Sequence, residues 1–276
     1  MAITATLDNR TGVSPARLFA IIGHPVGQAR SPAVFNDRFR RAGIDATMIA
    51  MDLPPDDFAE ALAGLRRIAN LGGLIVTIPH KQRAAQIADM VSERVARTGA
   101  ANILRPGAHG PWEAELFDGV GLVSGLARHN HHVSGRHVAV VGAGGAGRAI
   151  AEALLQQGAA VDLSDIDEKS AHQAVDRLSG DAPAPIGIAP PGPRHDIVVN
   201  ATPVGMGADR RLPFSLDRLH AGAVVAEAVM VPPVTALLRE AEARGHPIVP
   251  GRCMLDGQIG PIWRFLGMGG PESDAP

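Results

Sequence analysis

Apolar positions in the first half of the chain fall alternately into short continuous runs and into helical spacing. They predict strands at 18–22, 46–51, 73–78 and 112–117, and helices at 31–42, at 56–69 and from about residue 81. Ser31 suits the N-cap of the first of these helices, and Pro32 suits its first helical position. This β-α-β-α order favours a largely parallel sheet covered by helices.

The same alternation starts again near residue 136. It predicts strands at 137–141, 160–164, 197–200, 223–226 and 247–249, and helices that end near 157 or span 167–178, 233–244 and 253–266. The segment 181–195 is rich in Pro and Gly and is expected to be a surface loop, and the tail 269–276 is expected to be disordered. Two such series in 276 residues predict an α/β protein with two domains.

A glycine motif follows the first strand of the second series. Gly142, Gly144 and Gly147 form G-x-G-x-x-G between the apolar run 138–141 and a predicted helix, which is the context that a dinucleotide-binding turn requires. The first glycine permits the tight turn, the second the approach of a pyrophosphate, and the third close helix–strand packing. The alternative is a glycine-rich turn without a ligand. The predicted cofactor cradle consists of Gly142, Ala143, Gly144, Gly145, Ala146 and Gly147.

An acidic residue ends the next predicted strand. Asp165 lies 18 residues after Gly147, where a carboxylate meets the adenosine ribose, accepts hydrogen bonds from its hydroxyls and repels a 2′-phosphate. Ile166 and Asp167 follow it, and no arginine does. The cofactor is therefore predicted to be NAD rather than NADP. Alternatively, Asp165 caps the helix 167–178.

Two residues outside the glycine motif suit acid–base chemistry. Lys81 follows a strand in the first turn of a helix, whose partial positive charge disfavours the ammonium form and helps the lysine exchange a proton. Asp118 ends a predicted strand just before the second series. Together they would form a Lys/Asp pair at an inter-domain cleft, a usual place for a ligand. Each has a structural alternative, because Lys81 also suits a solvated helix position and Asp118 a helix cap.

Composition narrows the functional classes. The net charge of −2 creates no field that would recruit nucleic acid or an anionic membrane, and a single cysteine, Cys253, excludes an internal disulfide. The N-terminus lacks the pattern of a signal peptide, and no apolar run approaches the roughly 20 residues needed to cross a bilayer. The histidines at 129, 131 and 132 lie near a helix end without carboxylates nearby, so no metal is expected. We expect a cytoplasmic protein with no nucleic-acid or membrane partner.

Six segments resemble the shikimate/quinate dehydrogenase family in order and spacing, and together they span nearly the whole chain. They are Ile22-Gly23-His24-Pro25 with Ser31-Pro32, Val76-Thr77-Ile78-Pro79-His80-Lys81, Gly99-Ala100-Ala101-Asn102, Asp118-Gly119-Val120-Gly121, Asn200-Ala201-Thr202-Pro203-Val204-Gly205, and Gly251-Arg252-Cys253-Met254-Leu255 with Gln258.

The resemblance implies a role for each matching position. Lys81 and Asp118 would be the catalytic pair, and the substrate would be held by Ser31, Thr77, Asn102 and Gln258. The loop beside the nicotinamide would add Asn200, Ala201, Thr202, Val204 and Gly251 to the cofactor site. The resemblance also implies a substrate domain formed by residues 1–118 and 252–276, with the C-terminal helix returning to it, and a Rossmann domain formed by 119–251.

Departures from the family concentrate at the end of the pocket that binds the substrate carboxylate. Polar family residues are replaced by Ala29, Ile75, Leu116-Phe117 and Met230, and the usual Asp of the last segment is Glu227. A hydrogen bond to a charged group is worth about 1.5–3 kcal/mol, so two lost bonds would weaken shikimate recognition by roughly 3–6 kcal/mol. Arg30 would offset part of that loss if it pairs with a carboxylate.

The resulting prediction is an NAD(P)-dependent dehydrogenase that interconverts a hydroxyl and a ketone on shikimate, quinate or a related cyclic hydroxy compound. One alternative is an enzyme like methylenetetrahydrofolate dehydrogenase, which the segments at Asp118 and Gln258 disfavour. Another is a non-catalytic NAD-binding regulator, which has no need of both Lys81 and Asp118. The sequence leaves the oligomeric state open, with a homodimer as one candidate.

Overall fold

The computed structural model describes residues 15–107, 110–180 and 182–269, and the contacts within the chain divide it into two units. Of the described residues, the first unit comprises 15–92, 101–107, 110–115 and 263–269. The second unit comprises 93–100, 116–180 and 182–262. The domain bounds implied by the family resemblance, 1–118 with 252–276 and 119–251, are a separate prediction that this division does not test.

A six-stranded sheet forms the centre of the first unit. Its strands are β1 (Arg17–Gly23), β2 (Ala46–Asp52), β3 (Leu71–Val76), β4 (Met90–Val91), β5 (Ile103–Pro106) and β6 (Trp112–Glu115). The order across the sheet is β2-β1-β3-β5-β6-β4. The β1 strand is parallel to both of its neighbours, whereas β5 is antiparallel to β3 and β6. The helices of this unit are α1 (Ser31–Ala42), α2 (Phe58–Leu65) and α3 (Lys81–Ile87).

Aromatic packing joins α1 to this sheet. Phe39 lies with its ring centroid 5.3 Å from that of Phe19 on β1 and 5.6 Å from that of Trp263. All three side chains are at most 1% exposed. Burial of such large apolar side chains is worth a few kcal/mol each. Trp263 therefore ties the chain's C-terminal segment into the core of the first unit.

The second unit is a doubly wound parallel sheet. Its strands are β7 (His137–Val141), β8 (Ala160–Ser164), β9 (Ile186–Ile188), β10 (Ile197–Asn200), β11 (Val224–Glu227) and β12 (Ile248–Val249). Its helices are α4 (Glu93–Thr98), α5 (Asp118–Arg128), α6 (Gly145–Gln156), α7 (Glu168–Ser179), α8 (Ala236–Ala243) and α9 (Arg252–Phe265). The last three residues of α9, from Trp263, belong to the first unit. The strand order β12-β11-β10-β7-β8-β9 reverses between β7 and β10. In open parallel sheets, ligands bind outside the carboxyl ends of the strands at such a reversal.

Several predicted elements are confirmed at their bounds, among them the strands 137–141, 160–164 and 197–200 and the helix 31–42. The N-cap assigned to Ser31 is wrong. Arg30 is the N-cap, with helical φ and ψ of −96° and −16°, and its carbonyl accepts from Val34 N, so Ser31 is already the first helical residue. Pro32 consequently occupies the second helical position rather than the first.

Other bounds differ from the prediction. The helix expected at 56–69 ends at Leu65, because the amides of Arg67 and Ile68 bond to carbonyls only three residues back. The strand expected at 73–78 is β3, whose register pairs Leu71 with Leu18. The expected loop 181–195 contains β9, a three-residue edge strand. The tail lies outside the described residues except for Gly269. Among the helices described, none has the length and apolarity of a membrane-spanning segment.

Candidate active site

The carboxyl ends of β1 and β3 lie side by side and fix the segment that follows β3. His24 N donates to the Ile78 carbonyl at 3.0 Å, and Thr77 N donates to the Ile22 carbonyl at 2.9 Å. A Cβ added to Gly23 would lie 2.4 Å from the methyl carbon of Thr77. Thr77 is therefore held tightly against the end of β1.

Lys81 is the first residue of α3, and it is only 8% exposed. The preceding residue, His80, stacks on Phe58 with ring centroids 4.5 Å apart and donates from Nε2 to the Leu53 carbonyl at 2.8 Å. The Lys81 carbonyl accepts from Ala101 N at 2.9 Å. Contacts from separate segments thus fix the backbone around Lys81, and its burial is not that of a solvated helix residue.

Asn102 and Ser31 complete the polar set of the first unit. Asn102 is 2% exposed, and its carbonyl accepts from Val76 N at 2.8 Å, which places it level with the end of β3. Ser31 is 5% exposed and begins α1, the helix that follows β1. Ser31, Thr77, Lys81 and Asn102 therefore lie at one edge of the first sheet, the edge where β1 and β3 end.

Asp118 begins α5 and is 3% exposed. It does not end a strand as expected, because β6 stops at Glu115 and Phe117 is the helix N-cap. The glycines after Asp118 allow α5 to pack closely within the second unit. A Cβ on Gly119 would lie 2.0 Å from the Ala149 carbonyl oxygen on α6, and one on Gly121 would lie 2.2 Å from the Met254 carbonyl oxygen on α9.

Gln258 lies on α9, and it is 6% exposed. A Cβ on Gly121 would be 3.1 Å from the Gln258 Cβ, so Gln258 packs against α5 one turn after Asp118. The structure thus places two of the expected site residues, Asp118 and Gln258, on neighbouring helices of the second unit.

The glycine motif has the geometry that a dinucleotide requires. Gly142 has φ of +108°, a region that residues with a Cβ rarely adopt, and a Cβ on Gly147 would lie 1.7 Å from the Gly142 carbonyl oxygen. Gly144 is the N-cap of α6. Within the described part of the chain, no atom beyond its two neighbours in sequence lies within 4 Å of a Cβ added to Gly144, and no side chain there caps the helix. The first amides of α6 are therefore open to a pyrophosphate, and the chain fits the cofactor.

Asp165 contacts the cofactor cradle directly. Its Oδ2 accepts from Ala143 N at 2.6 Å, and its Oδ1 accepts from Asp167 N at 2.9 Å. The N-cap of α7 is Asp167, whose carboxylate accepts from Lys169 N at 3.2 Å. Asp165 is thus not the helix cap, and its carboxylate lies beside the cradle at the end of β8.

The loop 200–205 follows β10 and begins beside the cradle. Ala201 N donates to the Val141 carbonyl at 2.8 Å, and a Cβ on Gly142 would lie 3.0 Å from the Ala201 carbonyl carbon. Within the loop, Asn200 Nδ2 donates to the Val204 carbonyl at 3.1 Å, and Asn200 Oδ1 accepts from Thr202 N at 3.0 Å. The expected cofactor residues Asn200, Ala201, Thr202 and Val204 are therefore held together with the cradle.

Gly251 lies farther along the same sheet edge, after β12. A Cβ on it would lie 2.2 Å from the Val229 carbonyl oxygen, which follows β11. A residue with a Cβ would overlap this carbonyl oxygen. Close backbone packing within the second unit therefore accounts for a glycine at position 251.

Glu227 is a residue that the sequence analysis noted only as a departure from the family. It is 0% exposed, and burial raises the pKa of its carboxyl group to about 7 against the effect of its hydrogen bonds. Those bonds come from Asn200 Nδ2 at 2.8 Å, Val229 N at 3.0 Å and Thr235 Oγ1 at 3.0 Å. The sequence does contain a signal for this network. Glu227 is an acidic residue at the end of an apolar strand, and a threonine suited to cap a helix follows eight residues later.

A doubly wound sheet with an open glycine cradle in the second unit, together with a buried lysine at the start of α3 in the first unit, defines a nicotinamide-dependent dehydrogenase of two units. Residues 21–104 match the family model described as "Shikimate dehydrogenase substrate binding domain", and residues 137–184 match "3-hydroxyacyl-CoA dehydrogenase, NAD binding domain".

Three similar proteins agree with that assignment. Shikimate dehydrogenase (NADP(+)) of Acidiphilium cryptum is 38% identical over 241 residues, which cover 87% of this chain and 86% of that protein. Quinate dehydrogenase of Corynebacterium glutamicum in complex with NAD superposes with a TM-score of 0.78 at 27% identity, covering 91% and 93% of the two chains. Ligand-free 5-ketofructose reductase of a Gluconobacter strain superposes with a TM-score of 0.78 at 26% sequence identity, covering 91% of this chain and 92% of that protein.

The chain belongs to the shikimate/quinate dehydrogenase family. It is an oxidoreductase that acts on a CH–OH group with a nicotinamide dinucleotide, as the sequence predicted. The predicted fold class, an α/β protein with a Rossmann unit and largely parallel sheets, is also confirmed.

Proposed function

We propose that this chain oxidises and reduces a small cyclic hydroxy compound with Lys81 and Asp118 as its acid–base pair. The observation that carries the proposal is the burial of Lys81 at the sheet edge that also holds Ser31, Thr77 and Asn102. Lysine is almost never buried without a specific role, because removing an ammonium group from water costs several kcal/mol.

The chain's own residues account for the proton. A nicotinamide dinucleotide held by the cradle Gly142–Gly147 would supply hydride transfer to or from the carbon that carries the hydroxyl. Lys81 Nζ accepts the hydroxyl proton during oxidation and gives it back during reduction, while the Asp118 carboxylate balances the charge of the ammonium form. Asn102, Gln258, Ser31 and Thr77 hold other polar groups of the substrate, so that the reacting hydroxyl is oriented toward the lysine.

The cofactor in this proposal is NAD. Asp165 places a carboxylate beside the cradle, Ile166 after it is fully exposed, and Asp167 adds a second negative charge. A 2′-phosphate would meet like charges at this point. The quinate dehydrogenase structure holds NAD, and residues 137–184 match an NAD-binding domain. The similar shikimate dehydrogenases are named for NADP(+), which favours NADP, so the proposal of NAD rests on the charges of Asp165 and Asp167.

The preferred substrate in this proposal has a far end that is less polar than the carboxylate of shikimate, or differently placed. Ile75 is a buried apolar residue on β3, and Arg30 is exposed. Phe117 packs under Arg94, with 5.9 Å between the guanidinium carbon and the ring centroid. The similarity to a 5-ketofructose reductase shows that relatives of this chain include a protein named for an uncharged sugar.

Reduction of NAD with a panel of cyclic polyols and hydroxy acids, including shikimate and quinate, tests the catalytic pair. Lys81→Ala should lower kcat on every accepted substrate by about 10² or more, the usual size of an acid–base contribution. Asp118→Asn should also lower kcat, because it removes the carboxylate that is proposed to balance the charge of the protonated lysine. The dissociation constant for NAD should stay within about twofold in Lys81→Ala, since Lys81 lies outside the unit that carries the cradle. Full activity of Lys81→Ala would remove the mechanism.

A further inference from the structure

A buried carboxylate joins the ends of two neighbouring strands in the second unit. Asn200 ends β10, Glu227 ends β11, and the parallel register places them opposite each other. Glu227 Oε1 accepts from Asn200 Nδ2 at 2.8 Å, and both residues are 0% exposed. The carboxylate therefore orients the Asn200 amide at the point where the loop 200–205 begins.

The Asn200 amide in turn determines the shape of that loop. Its Oδ1 accepts from Thr202 N at 3.0 Å and from Thr202 Oγ1 at 2.7 Å, while its Nδ2 donates to the Val204 carbonyl at 3.1 Å. Thr202 Oγ1 also accepts from Val204 N at 3.1 Å. With Asn200 turned away, these loop groups would lose their partners together.

The other end of the network is anchored on α8. Thr235 Oγ1 donates to Glu227 Oε2 at 3.0 Å and accepts from Leu238 N at 3.3 Å as the N-cap of that helix. Val229 N donates to Glu227 Oε1 at 3.0 Å. One side chain thus links β10, β11 and the start of α8, and every group that hydrogen-bonds to it is uncharged.

An ionisable carboxyl group among uncharged partners is an expensive way to join three elements, since apolar packing of the same volume avoids the desolvation cost. Its hydrogen bonds to Asn200 at the end of β10, to Val229 after β11 and to Thr235 at the start of α8 suit it instead to fixing the orientation of the Asn200 amide. The loop 200–205 begins against Gly142 of the cradle, and the family resemblance predicts that it lies beside the nicotinamide. Resting on the proposed function, which requires that cofactor, we propose that Glu227 is a positioning residue that holds this loop, through Asn200, in the conformation that receives the nicotinamide end of the cofactor.

Two ligands separate this role from a general loss of structure. NADH carries the nicotinamide, whereas ADP-ribose has only the adenosine, pyrophosphate and ribose parts that the cradle would bind. Glu227→Ala should raise the dissociation constant for NADH by about tenfold or more, because Asn200 loses the hydrogen bond that orients its amide, and leave that for ADP-ribose within about twofold. Glu227→Gln keeps a carbonyl acceptor for Asn200, so its NADH affinity should stay within about threefold of the wild type.

Glu152→Gln is the matched control, because Glu152 is a carboxylate of the same unit, 1% exposed, that pairs with Arg94 and Arg97 instead. It should change both dissociation constants by less than about twofold. If Glu227→Ala does not fold, Thr235→Val removes the hydroxyl that supports Oε2 and should weaken NADH selectively, whereas Thr235→Ser should not. Equal weakening of both ligands, or no weakening of either, in Glu227→Ala and Thr235→Val would overturn the proposal.

These binding measurements need neither a substrate nor Lys81, so they stand apart from the catalytic proposal. Lys81→Ala should bind NADH and ADP-ribose like the wild type. Loss of the selective effect in the Glu227 and Thr235 variants would reject the positioning role and leave the acid–base pair intact. An active Lys81→Ala variant would reject the pair and leave the positioning role intact.

Discussion

At the scale of single residues, Asp165 combines two roles that bear on the proposed preference for NAD: it carries a negative charge, and it hydrogen-bonds to the backbone of the cradle. Its carboxylate accepts from Ala143 N in the cradle and from Asp167 N at the start of the next helix. The same group that would face the ribose therefore also supports the turn that would receive the pyrophosphate. A change of cofactor preference must separate these two roles, and the chain allows this because the amide of asparagine retains one acceptor oxygen.

We expect Asp165→Asn to reduce the preference for NAD over NADP without disrupting the cradle, because it removes the negative charge and keeps an acceptor for Ala143 N. Asp165→Ser combined with Ile166→Arg should go further and favour NADP, since a guanidinium pairs with a 2′-phosphate. Calorimetric titration with both oxidised cofactors measures the ratio of the two dissociation constants. Wild-type protein that binds NADP more tightly than NAD would contradict the assignment of Asp165.

At the scale of elements, the position of Asp118 depends on how closely α5 can approach its neighbours. Gly119 faces α6 and Gly121 faces α9, and an added Cβ would overlap a backbone carbonyl oxygen at either place, at 2.0 Å and 2.2 Å. A backbone oxygen cannot move aside as a flexible side chain can. In the segment Asp118-Gly119-Val120-Gly121, Asp118 is proposed for catalysis, and the two glycines allow α5 to pack closely against α6 and α9. These separate requirements explain why the four residues form a recognisable sequence motif.

Gly119→Ala should lower the free energy of unfolding by about 1–3 kcal/mol, the usual cost of overpacking, and lower kcat by shifting α5 and with it Asp118. Gly64→Ala is the control, because Gly64 lies within α2 with no atom within 4 Å of its added Cβ. That change should be neutral or stabilise by about 0.5–1 kcal/mol, since alanine is the better helix former. Denaturant unfolding measures both, and equal stability of the two variants would show that α5 packs more loosely than the structure indicates.

The elements that the sequence analysis found and missed differ in length and burial. The strands at His137–Val141 and Ile197–Asn200 are continuous buried runs, so their composition identifies them. The β4 strand has two residues, both exposed, and α4 has six, too few for a periodic pattern to emerge. The role proposed for Glu227 could not be predicted from local sequence. It depends on Asn200, which lies 27 residues earlier and becomes a neighbour only through the parallel pairing of β10 with β11.

At the scale of the whole molecule, the residues proposed for the reaction are divided between the two units. Ser31, Thr77, Lys81 and Asn102 belong to the first unit, and Asp118, Gln258 and the cradle belong to the second. The apolar residues that the family resemblance predicts at the carboxylate end of the pocket are divided in the same way, with Ala29 and Ile75 in the first unit and Phe117 and Met230 in the second. A change of substrate that involves the carboxylate would therefore be expected to involve residues of both units.

Shikimate should consequently not be the best substrate. A carboxylate that loses hydrogen-bonding partners is costly to desolvate, so kcat/KM for shikimate and quinate should fall below about 10⁴ M⁻¹s⁻¹, the lower end of the ordinary enzyme range, while an uncharged cyclic polyol should be used more efficiently. Steady-state kinetics over the same panel measure the ratio. The alternative is that Ser31, Thr77 and Arg30 suffice to hold the carboxylate, and ordinary kcat/KM for shikimate or quinate would establish it.

Restoring the missing hydroxyls distinguishes a changed pocket from a displaced lysine. Ala29→Ser combined with Met230→Tyr should raise kcat/KM for shikimate by at least about tenfold, because each hydroxyl supplies a hydrogen bond to a charged group. The gain should appear mainly in KM if the carboxylate is bound equally in the ground and transition states. Lys81→Ala in the same background should abolish it, since binding alone does not move the proton. An unchanged kcat/KM in the double variant would mean that the apolar replacements do not limit the use of shikimate, and that its reacting hydroxyl is held away from Lys81 instead.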